Sequence, residues 1–492
     1  KIWQQEFKLP GMPGTNEMAL EVSRIPPINL SKRLDFLIHY PYGCIEQTIS
    51  SVFPQLYLNN LLSLPKEKQA EIQNNIKAAI TRLRTFQTSN GGFAYWPGHL
   101  EADEWGSNYG GHFLVEARLA GYNIPAGLLQ QWTNFQKRRA QGWVTGMQRS
   151  ELIQAYRLYT LALLGEPEMG AMNRLKERNN LPTTARWQLA AAYKLAGQEE
   201  AARSLAKGDI TISAYRELGN TYGSHLRDKA IILETMTLLN ETDRAQELVT
   251  ELSSALSSEK WLSTQTTAYM LIAIARYAGF SNAGTASFSF RYEWQNNPAH
   301  NISATSPIFQ QELVSRMDST GSIYLKNESE TILYPRLIVS GLPALGAETD
   351  ASNGLSCTIV YKDRAGKNID VNKLAQGSEI IAEVTIKNTG STGDYEEIAV
   401  AHLVPSGWEI YNERMAGTEN SSHFEYQDIR DDRVHTFFDL KQGEEKTIRL
   451  LLNASYIGEY YLPPIYVEAM YDATINARVK GEWIEVVFPG AE

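Results

Sequence analysis

The segment Tyr42-Gly43-Cys44-Ile45-Glu46-Gln47 follows a proline and lies between two amphipathic runs, residues 30–40 and 48–62. This position predicts a turn that enters a helix, where side chains three residues apart are neighbours. The thiol of Cys44 could therefore attack the side-chain carbonyl of Gln47, expel ammonia and form an internal thioester. A thioester releases a thiolate of pKa about 8.5, which is a far better leaving group than the nitrogen of an amide. The segment is thus a candidate acyl donor.

The same residues resemble a signature of a known family. Gly43-Cys44-Ile45-Glu46-Gln47 is similar to the thioester motif of the alpha-2-macroglobulin and complement superfamily. The longer run from Tyr40 to Thr48 most resembles the bacterial alpha-2-macroglobulins. A second interpretation stays open, in which Cys44 is a buried helix cysteine without chemistry.

Composition narrows the class of protein. A chain of 492 residues is too long for one core, and its length predicts about three domains. A net charge of −10 argues against nucleic acid or an anionic membrane surface as the partner. No apolar run approaches the ~20 residues that span a bilayer. Since there is neither a signal peptide nor an initiating Met, we expect Lys1 to be an internal start within a longer precursor.

The two cysteines do not form a disulfide framework. If Cys44 is acylated, Cys357 has no intramolecular partner, and its strand-like surroundings predict a buried, small apolar residue. A Cys44–Cys357 bridge is the alternative. The eight histidines show no metal-binding spacing, so we predict neither a metal nor a cofactor.

Residues 28–283 have the period of helices. Apolar residues recur at intervals of three and four, and glycine or asparagine follows several of the runs. We predict six helical hairpins that close into an α/α toroid, with an open solenoid as the alternative. The twelve predicted helices are 30–40, 47–63, 67–88, 108–121, 127–139, 149–164, 168–178, 183–196, 198–206, 225–239, 242–256 and 263–279.

The sequences before and after this helical region have the alternating apolar and polar residues of β-strands. Residues 1–27 hold too few strands to be stable alone, so we expect them to pair with residues 284–344 in one interrupted β-domain. The short alternating runs of residues 345–492, which turns separate, predict ten strands of an antiparallel sandwich. The resemblance implies a CUB-like domain in two parts, an inserted thioester domain at 28–283 and a C-terminal macroglobulin-like domain.

Two further stretches lie within the helical region. Residues 91–96 predict a loop with aromatic side chains, similar to the Gly-x-Phe-Ala turn of thioester domains. Since toroid enzymes carry such turns too, this stretch supports the fold more than the activity. Glu101, Asp103 and Glu104 are interpreted as a solvated loop, with a metal or prenyl-diphosphate motif as the alternative.

The resemblance also implies how the site works. A lysine amine would attack the Gln47 carbonyl and leave an isopeptide bond and a free Cys44 thiol. Glu46 is either a polarising or proton-relay group, or a first-turn acid that faces the helix dipole. Some complement relatives use a downstream histidine to reach hydroxyl targets. No histidine occurs in the corresponding region, residues 146–150, so direct attack by an amine is favoured.

A thioester also needs a cover, because water would otherwise hydrolyse it. Tyr40 and Tyr42 flank the motif and could form one side of this cover. Met470 and Tyr471 match the C-terminal pair that covers the thioester in bacterial members of the family. Ordinary core positions are the alternative for these last two residues.

The function implied by the resemblance is that of the C-terminal part of a bacterial alpha-2-macroglobulin. Such a protein binds attacking proteases covalently through their lysines, acts once and is not an enzyme. The expected location is the periplasm or cell envelope, as an exported lipoprotein precursor that touches the membrane only through an N-terminal lipid anchor outside this chain. Besides the proteases, the implied partners are upstream macroglobulin domains of the same protein. No bait segment, whose cleavage would release the cover, is recognisable.

Two alternatives belong to other functional classes. An α/α-toroid enzyme, such as a cyclase or a polysaccharide-active protein, predicts paired carboxylates at the mouth of the toroid. A non-covalent binding or adhesion module predicts a free Cys44 thiol.

Overall fold

The chain forms two compact units, residues 1–342 and 343–492. A computed structural model describes residues 1–39, 43–146, 149–258, 260–280, 287–294, 297–313, 320–390, 393–411 and 424–490.

The described residues contain twelve α-helices, all in the first unit and at the predicted places. They are α1 (Leu30–His39), α2 (Ile45–Val52), α3 (Lys66–Phe86), α4 (Glu104–Leu119), α5 (Ala126–Gln141), α6 (Ser150–Leu163), α7 (Met169–Lys176), α8 (Thr183–Leu195), α9 (Glu199–Leu205), α10 (His225–Leu238), α11 (Thr242–Ser257) and α12 (Thr264–Phe280). The single helix predicted over 47–63 is wrong in its second half. There α2 ends at Val52 and a 3-10 helix, Phe53–Asn60, follows, because Pro54 has no N–H to continue the α-helical ladder.

The even-numbered helices form a closed inner ring. Each of α2, α4, α6, α8, α10 and α12 contacts the next, and α12 returns to contact α2. The odd-numbered helices pack outside this ring. The helical region is therefore the predicted toroid and not an open solenoid.

Two antiparallel sheets complete the first unit, and both combine strands from the two ends of its sequence. One sheet has the order β1-β6-β3-β4 and the other has the order β5-β2-β7. Their inner faces bury a common core that includes Phe7, Leu20 and Phe290. The strands are β1 (Ile2–Lys8), β2 (Glu17–Ser23), β3 (Phe288–Trp294), β4 (His300–Ala304), β5 (Ile308–Glu312), β6 (Thr320–Asn327) and β7 (Tyr334–Ser340).

The second unit is a β-sandwich. Its two larger sheets have the orders β13-β16-β11-β9 and β14-β15-β12-β18-β19-β8, and a small third sheet has the order β10-β20-β17. All ten predicted strands are present. The strands are β8 (Ala351–Asn353), β9 (Leu355–Lys362), β10 (Lys373–Ala375), β11 (Glu379–Asn388), β12 (Tyr395–Leu403), β13 (Trp408–Tyr411), β14 (Tyr426–Ile429), β15 (Arg433–Leu440), β16 (Glu445–Ala454), β17 (Gly458–Leu462), β18 (Ile465–Ala469), β19 (Asp472–Val479) and β20 (Glu482–Val487).

Cys357 lies in β9 as predicted, opposite Ile386 of β11. Its side chain is half-buried rather than buried, and burial raises the pKa of its thiol to about 12. Neither Cys44 nor Cys357 is part of a disulfide, so the alternative of a Cys44–Cys357 bridge is wrong.

His402 makes the second unit sensitive to acid. It lies on β12 with 2% of its surface exposed, and neither ring nitrogen has a hydrogen-bond partner among the described residues. Burial lowers its pKa to about 4. As the pH falls from about 6.5 to 4, this histidine binds a proton in the unfolded chain but not in the folded chain. The free energy of unfolding therefore decreases.

We expect His402→Leu to remove up to about 3 kcal/mol of this acid destabilisation. The measurement is urea denaturation of the wild type and the variant at pH 7 and at pH 4.5, followed by near-UV circular dichroism. An equal loss of stability in both proteins would contradict the role of His402.

Candidate functional site

Cys44 and Gln47 meet at the start of α2. Cys44 is the N-cap residue, with an extended backbone (φ −64°, ψ 167°), and its Sγ accepts a hydrogen bond from the backbone N–H of Gln47. A side chain at this position points back over the first turn of its helix. The thiol consequently donates to Gln47 Oε1 over 3.2 Å. The nucleophilic atom of the predicted reaction thus lies beside the acyl group of Gln47.

The surroundings of the pair disfavour an intact glutamine amide. Cys44 is fully buried and Gln47 is 3% exposed. Gln47 Nε2 is also buried and has no hydrogen-bond partner within the part of the chain that the structure describes. A buried donor without a partner costs about 1–3 kcal/mol. This cost disappears when the nitrogen leaves as ammonia.

Close packing against α4 holds the start of α2 in place. The N–H of Ile45 donates to the carbonyl of Tyr95 over 2.9 Å. A Cβ atom on Gly106 would lie 2.7 Å from Ile45 Cγ2, and one on Gly110 would lie 3.2 Å from Ile45 Cδ1. Glycine at these two positions of α4 therefore lets the residue after Cys44 approach the helix backbone.

The loop at residues 91–96, predicted as such, supplies that carbonyl of Tyr95. Its Phe93 is fully buried, and its backbone forms hydrogen bonds with two residues at the start of α4. The N–H of Phe93 donates to Ser107 Oγ over 2.8 Å, and the carbonyl of Phe93 accepts from the N–H of Asp103. The loop is thereby fixed to the same helix that packs against Ile45.

The interpretation of the neighbouring acidic run as a solvated loop is wrong for two of its three residues. Asp103 is the N-cap of α4 and accepts from the N–H of Gly106, and burial raises its pKa to about 6. Glu104 begins α4 and forms ion pairs with Arg157 and Arg139. Glu101 alone is exposed. Sequence periodicity placed the start of α4 one turn too late because its glycines weaken the helical signal.

Glu46 is completely buried, and its carboxylate faces the first residue of α12. Its Oε1 accepts a hydrogen bond from Ser50 Oγ over 2.6 Å, and Thr264 Oγ1 lies 3.0 Å from Oε1 and 2.9 Å from Oε2. Ser50 Oγ is in turn 3.1 Å from the hydroxyl of Tyr109. Sequence analysis missed these partners. The i, i+4 spacing of Glu46 and Ser50 was a usable signal, whereas Thr264 is 218 residues away.

The other predicted site residues remain predictions. Tyr40 and Tyr42 lie outside the described residues. Met470 and Tyr471 form the turn between β18 and β19 in the second unit, and both side chains are buried. They are therefore turn residues and not part of a strand.

His112 is a packed residue rather than a partner of the thioester motif. It is buried on α4 with Nδ1 2.9 Å from the hydroxyl of Tyr156, and its ring stands edge-on to Phe53. Within the described ranges, no group of three or more His, Cys, Asp or Glu residues could hold a metal ion. No helix of those ranges is long and apolar enough to cross a membrane.

A second buried cluster lies inside the ring. Arg276 on α12 pairs with both Glu116 and Glu234. Burial alone would raise the pKa of Glu116, but Arg276 outweighs it and holds this pKa at about 2. An enzyme that uses two carboxylates needs one of them as a proton donor. A pair that shares an arginine is instead a structural feature, which disfavours the toroid-enzyme alternative.

Comparison with known proteins gives the following matches. Residues 18–151 match the A-macroglobulin TED domain family, and residues 354–473 match the bacterial alpha-2-macroglobulin MG10 domain. The alpha-2-macroglobulin of Escherichia coli (strain K12) is 27% identical over 519 residues, which cover 97% of this chain and 30% of that protein. The alpha-2-macroglobulin of Pasteurella multocida (strain Pm70) is 24% identical over 487 residues, which cover 91% of this chain and 25% of that protein.

Two solved structures share the fold over 99% of this chain. Native E. coli alpha-2-macroglobulin, from domain MG7 to the C-terminus, has a TM-score of 0.81 at 23% identity, and 82% of that chain is covered. Salmonella alpha-2-macroglobulin reacted with methylamine has a TM-score of 0.83 at 23% identity, and 34% of that chain is covered.

The chain thus joins a closed helical ring, similar to an A-macroglobulin TED domain, to a β-sandwich that is similar to the bacterial alpha-2-macroglobulin MG10 domain. More particularly, the chain is a counterpart of the C-terminal part of the bacterial alpha-2-macroglobulins. It spans about a third or less of the length of the curated relatives named above.

Proposed function

We propose that this chain is the reactive part of a protease trap, in which an internal Cys44–Gln47 thioester binds the lysines of attacking proteases. One observation carries the proposal. The Cys44 thiol lies 3.2 Å from Gln47 Oε1, while the amide nitrogen of Gln47 is buried without a partner among the described residues.

The chemistry needs only these two side chains. In the first step a bond forms between Sγ and the Gln47 side-chain carbonyl carbon, the C–N bond breaks, and the thiol proton leaves with the nitrogen as ammonia. In the second step an amine replaces the sulfur, and its proton passes to Cys44. Because only about 0.1% of a free lysine amine is unprotonated at neutral pH, speed must come from proximity in an encounter complex. No cofactor or metal takes part, and the chain is consumed rather than turned over.

Glu46 has two candidate roles in this scheme. It could polarise the site or relay the proton from the amine to sulfur, or it could face the helix dipole as a first-turn acid. The proposed domain division is a CUB-like domain formed by residues 1–27 and 284–344, a thioester domain at 28–283, and a macroglobulin-like domain at 345–492. The proposed setting is the bacterial envelope, on an exported lipoprotein whose upstream macroglobulin domains carry the bait.

Exclusion of water is part of the proposal. Tyr40, Tyr42, Met470 and Tyr471 are the proposed cover. If this assignment is right, Tyr471→Ala should hydrolyse its thioester faster, by roughly tenfold or more, since an opened site admits water to a reactive acyl group. The measurement is the appearance of the free Cys44 thiol over time in buffer without amines. The exposed Tyr456→Ala serves as the control. Equal rates in both variants would make Tyr471 an ordinary packed residue.

Intact mass tests the function itself. A thioester-bearing chain is lighter than its sequence by about 17 Da, one ammonia, and methylamine adds about 31 Da to that mass. Incubation with a protease should then produce a covalent product that survives denaturation and joins Gln47 to a lysine. A chain of full sequence mass that gains nothing from methylamine would reject the proposal.

A further inference from the structure

The first turn of α12 and the residue before it, which we call the polar turn (Ser263-Thr264-Gln265-Thr266), are buried throughout. Buried polar side chains are costly unless they are hydrogen-bonded. The polar turn finds its partners on two other helices of the inner ring. Thr264 Oγ1 bonds Glu46 of α2, and Gln265 Oε1 accepts from Arg227 of α10.

A third bond strengthens the connection to α10. Thr266 Oγ1 lies 2.8 Å from Ser224 Oγ, and Ser224 is the N-cap of α10. Arg227 in addition stands over the ring of Trp105 on α4, 4.5 Å from its centroid. The hydroxyl of Thr264 thus links the helix that carries the thioester motif to a buried polar network that includes α10 and α12.

Glu46 is the residue between this network and the reacting pair. Thr264 donates to its carboxylate at nearly equal distances from both oxygens, and Ser50 donates from the next turn of α2. Gln47 directly follows Glu46 in the first turn of the helix. Loss of the Thr264 hydroxyl would remove a buried hydrogen bond from this carboxylate, and any shift of Glu46 that replaces the bond would move the first turn of α2 with it.

We propose that Thr264 is a positioning residue for the thioester. By holding Glu46, it keeps the first turn of α2 where the Cys44 thiol meets the Gln47 carbonyl. The step it favours is thioester formation, in which the S–C bond forms, the C–N bond breaks and the thiol proton leaves with ammonia. Intramolecular reactions of this kind are fast only near the productive geometry, and a displacement of about 1 Å can cost roughly a hundredfold in rate. This inference rests on the proposed function.

The chain offers a matched pair of variants on the same helix. Thr264→Val removes the hydroxyl that holds Glu46. Thr267→Val makes the same change three residues further along α12. Thr267 is fully buried, and its Oγ1 has no hydrogen-bond partner among the described residues. Thr264→Ser keeps the hydroxyl, and Ser50→Ala removes the second donor to Glu46 without harming the helix.

The experiment follows thioester formation by mass. Ammonia converts the thioester of the full chain back to glutamine; it is then removed, and the loss of about 17 Da is followed over time. We expect Thr264→Val to form the thioester roughly tenfold to a hundredfold more slowly than Thr267→Val, which should match the wild type. Thr264→Ser should form it at nearly the wild-type rate, and Ser50→Ala should be slow.

The outcomes separate the inference from the proposed function. A wild type that never loses ammonia rejects the function. If the wild type forms the thioester, equal rates for Thr264→Val and Thr267→Val overturn the inference, and so does a Thr264→Ser variant as slow as Thr264→Val. Should Thr264→Val fail to fold, Ser50→Ala decides, because wild-type kinetics in that variant overturn the inference as well. Thermal melts of every variant show whether a slow rate reflects lost stability.

Discussion

Replacing Cys44 with alanine is expected to abolish conjugation to amines completely and to leave the fold intact. The thiol is the nucleophile that lies against the Gln47 side-chain carbonyl, 3.2 Å from Oε1, so without it we expect the amide to keep its nitrogen. Alanine keeps the Cβ atom of the cysteine and loses only the sulfur. We therefore expect the free energy of unfolding to decrease by about 1 kcal/mol. The measurement is incorporation of labelled methylamine, together with intact mass and circular dichroism.

The matched control is Cys357→Ala. Cys357 is the second cysteine of the chain and lies on β9, in the other unit. This variant should still lose ammonia and still take up methylamine. Conjugation that survives in Cys44→Ala, or disappears in Cys357→Ala, would reject the assignment of the acyl donor.

Replacing Arg227 with methionine is expected to destabilise the helical ring by about 3–5 kcal/mol, because it leaves a buried carboxylate unpaired. Arg227 and Asp228 are 0% and 1% exposed, and Nε donates to Asp228 Oδ1 over 2.8 Å. The change also removes the donor to Gln265 and thereby one side of the polar turn. Guanidinium denaturation followed by far-UV circular dichroism at 222 nm reports on this unit, since all described helices belong to it.

Two companion variants make the result specific. The Arg291–Glu293 pair on β3 is 47% and 41% exposed, so Arg291→Met should cost no more than about 1 kcal/mol. Adding Asp228→Asn to Arg227→Met should recover part of the loss, because the unpaired charge is then gone. Equal destabilisation by Arg227→Met and Arg291→Met would contradict the structural role given to the buried pair.

Periodicity was sufficient to predict the ring. Apolar spacing predicted twelve helices in the right order, because each helix buries a face against a neighbour in sequence. It failed where one residue overrides the pattern. Pro54 ends α2 early, and Gly106 in the first turn of α4, with Gly110 and Gly111 in the next turn, weakens the helical pattern where α4 begins. These glycines serve close packing against Ile45 and Trp132 rather than flexibility.

Short strands escaped the sequence analysis for a related reason. Strands β8, β10 and β14 have three or four residues each, too few for an alternating pattern to be recognised. Strands β4 and β5 were also missed. They follow a stretch with little apolar alternation, and pairing with β3 and β2 determines them more than their own sequence does.

The sequence predicted the reacting pair of the candidate site but not the long-range contact that Glu46 makes. Cys44 and Gln47 are three residues apart, so helix geometry alone places them together. Of the partners of Glu46, Thr264 was not predictable in the same way. Thr264 reaches it only because the last helix of the ring returns to the first, which a reading of local sequence does not reveal. Long-range closure of the ring, rather than local propensity, therefore completes the site.

The most direct test of the central claim is a count of thiols. Denatured in acid to preserve thioesters, the freshly made chain should show one titratable thiol, that of Cys357, and after treatment with methylamine it should show two. Two thiols in the untreated chain, with no change on treatment, would mean that Cys44 and Gln47 are an unreacted pair and that the chain is not a thioester trap.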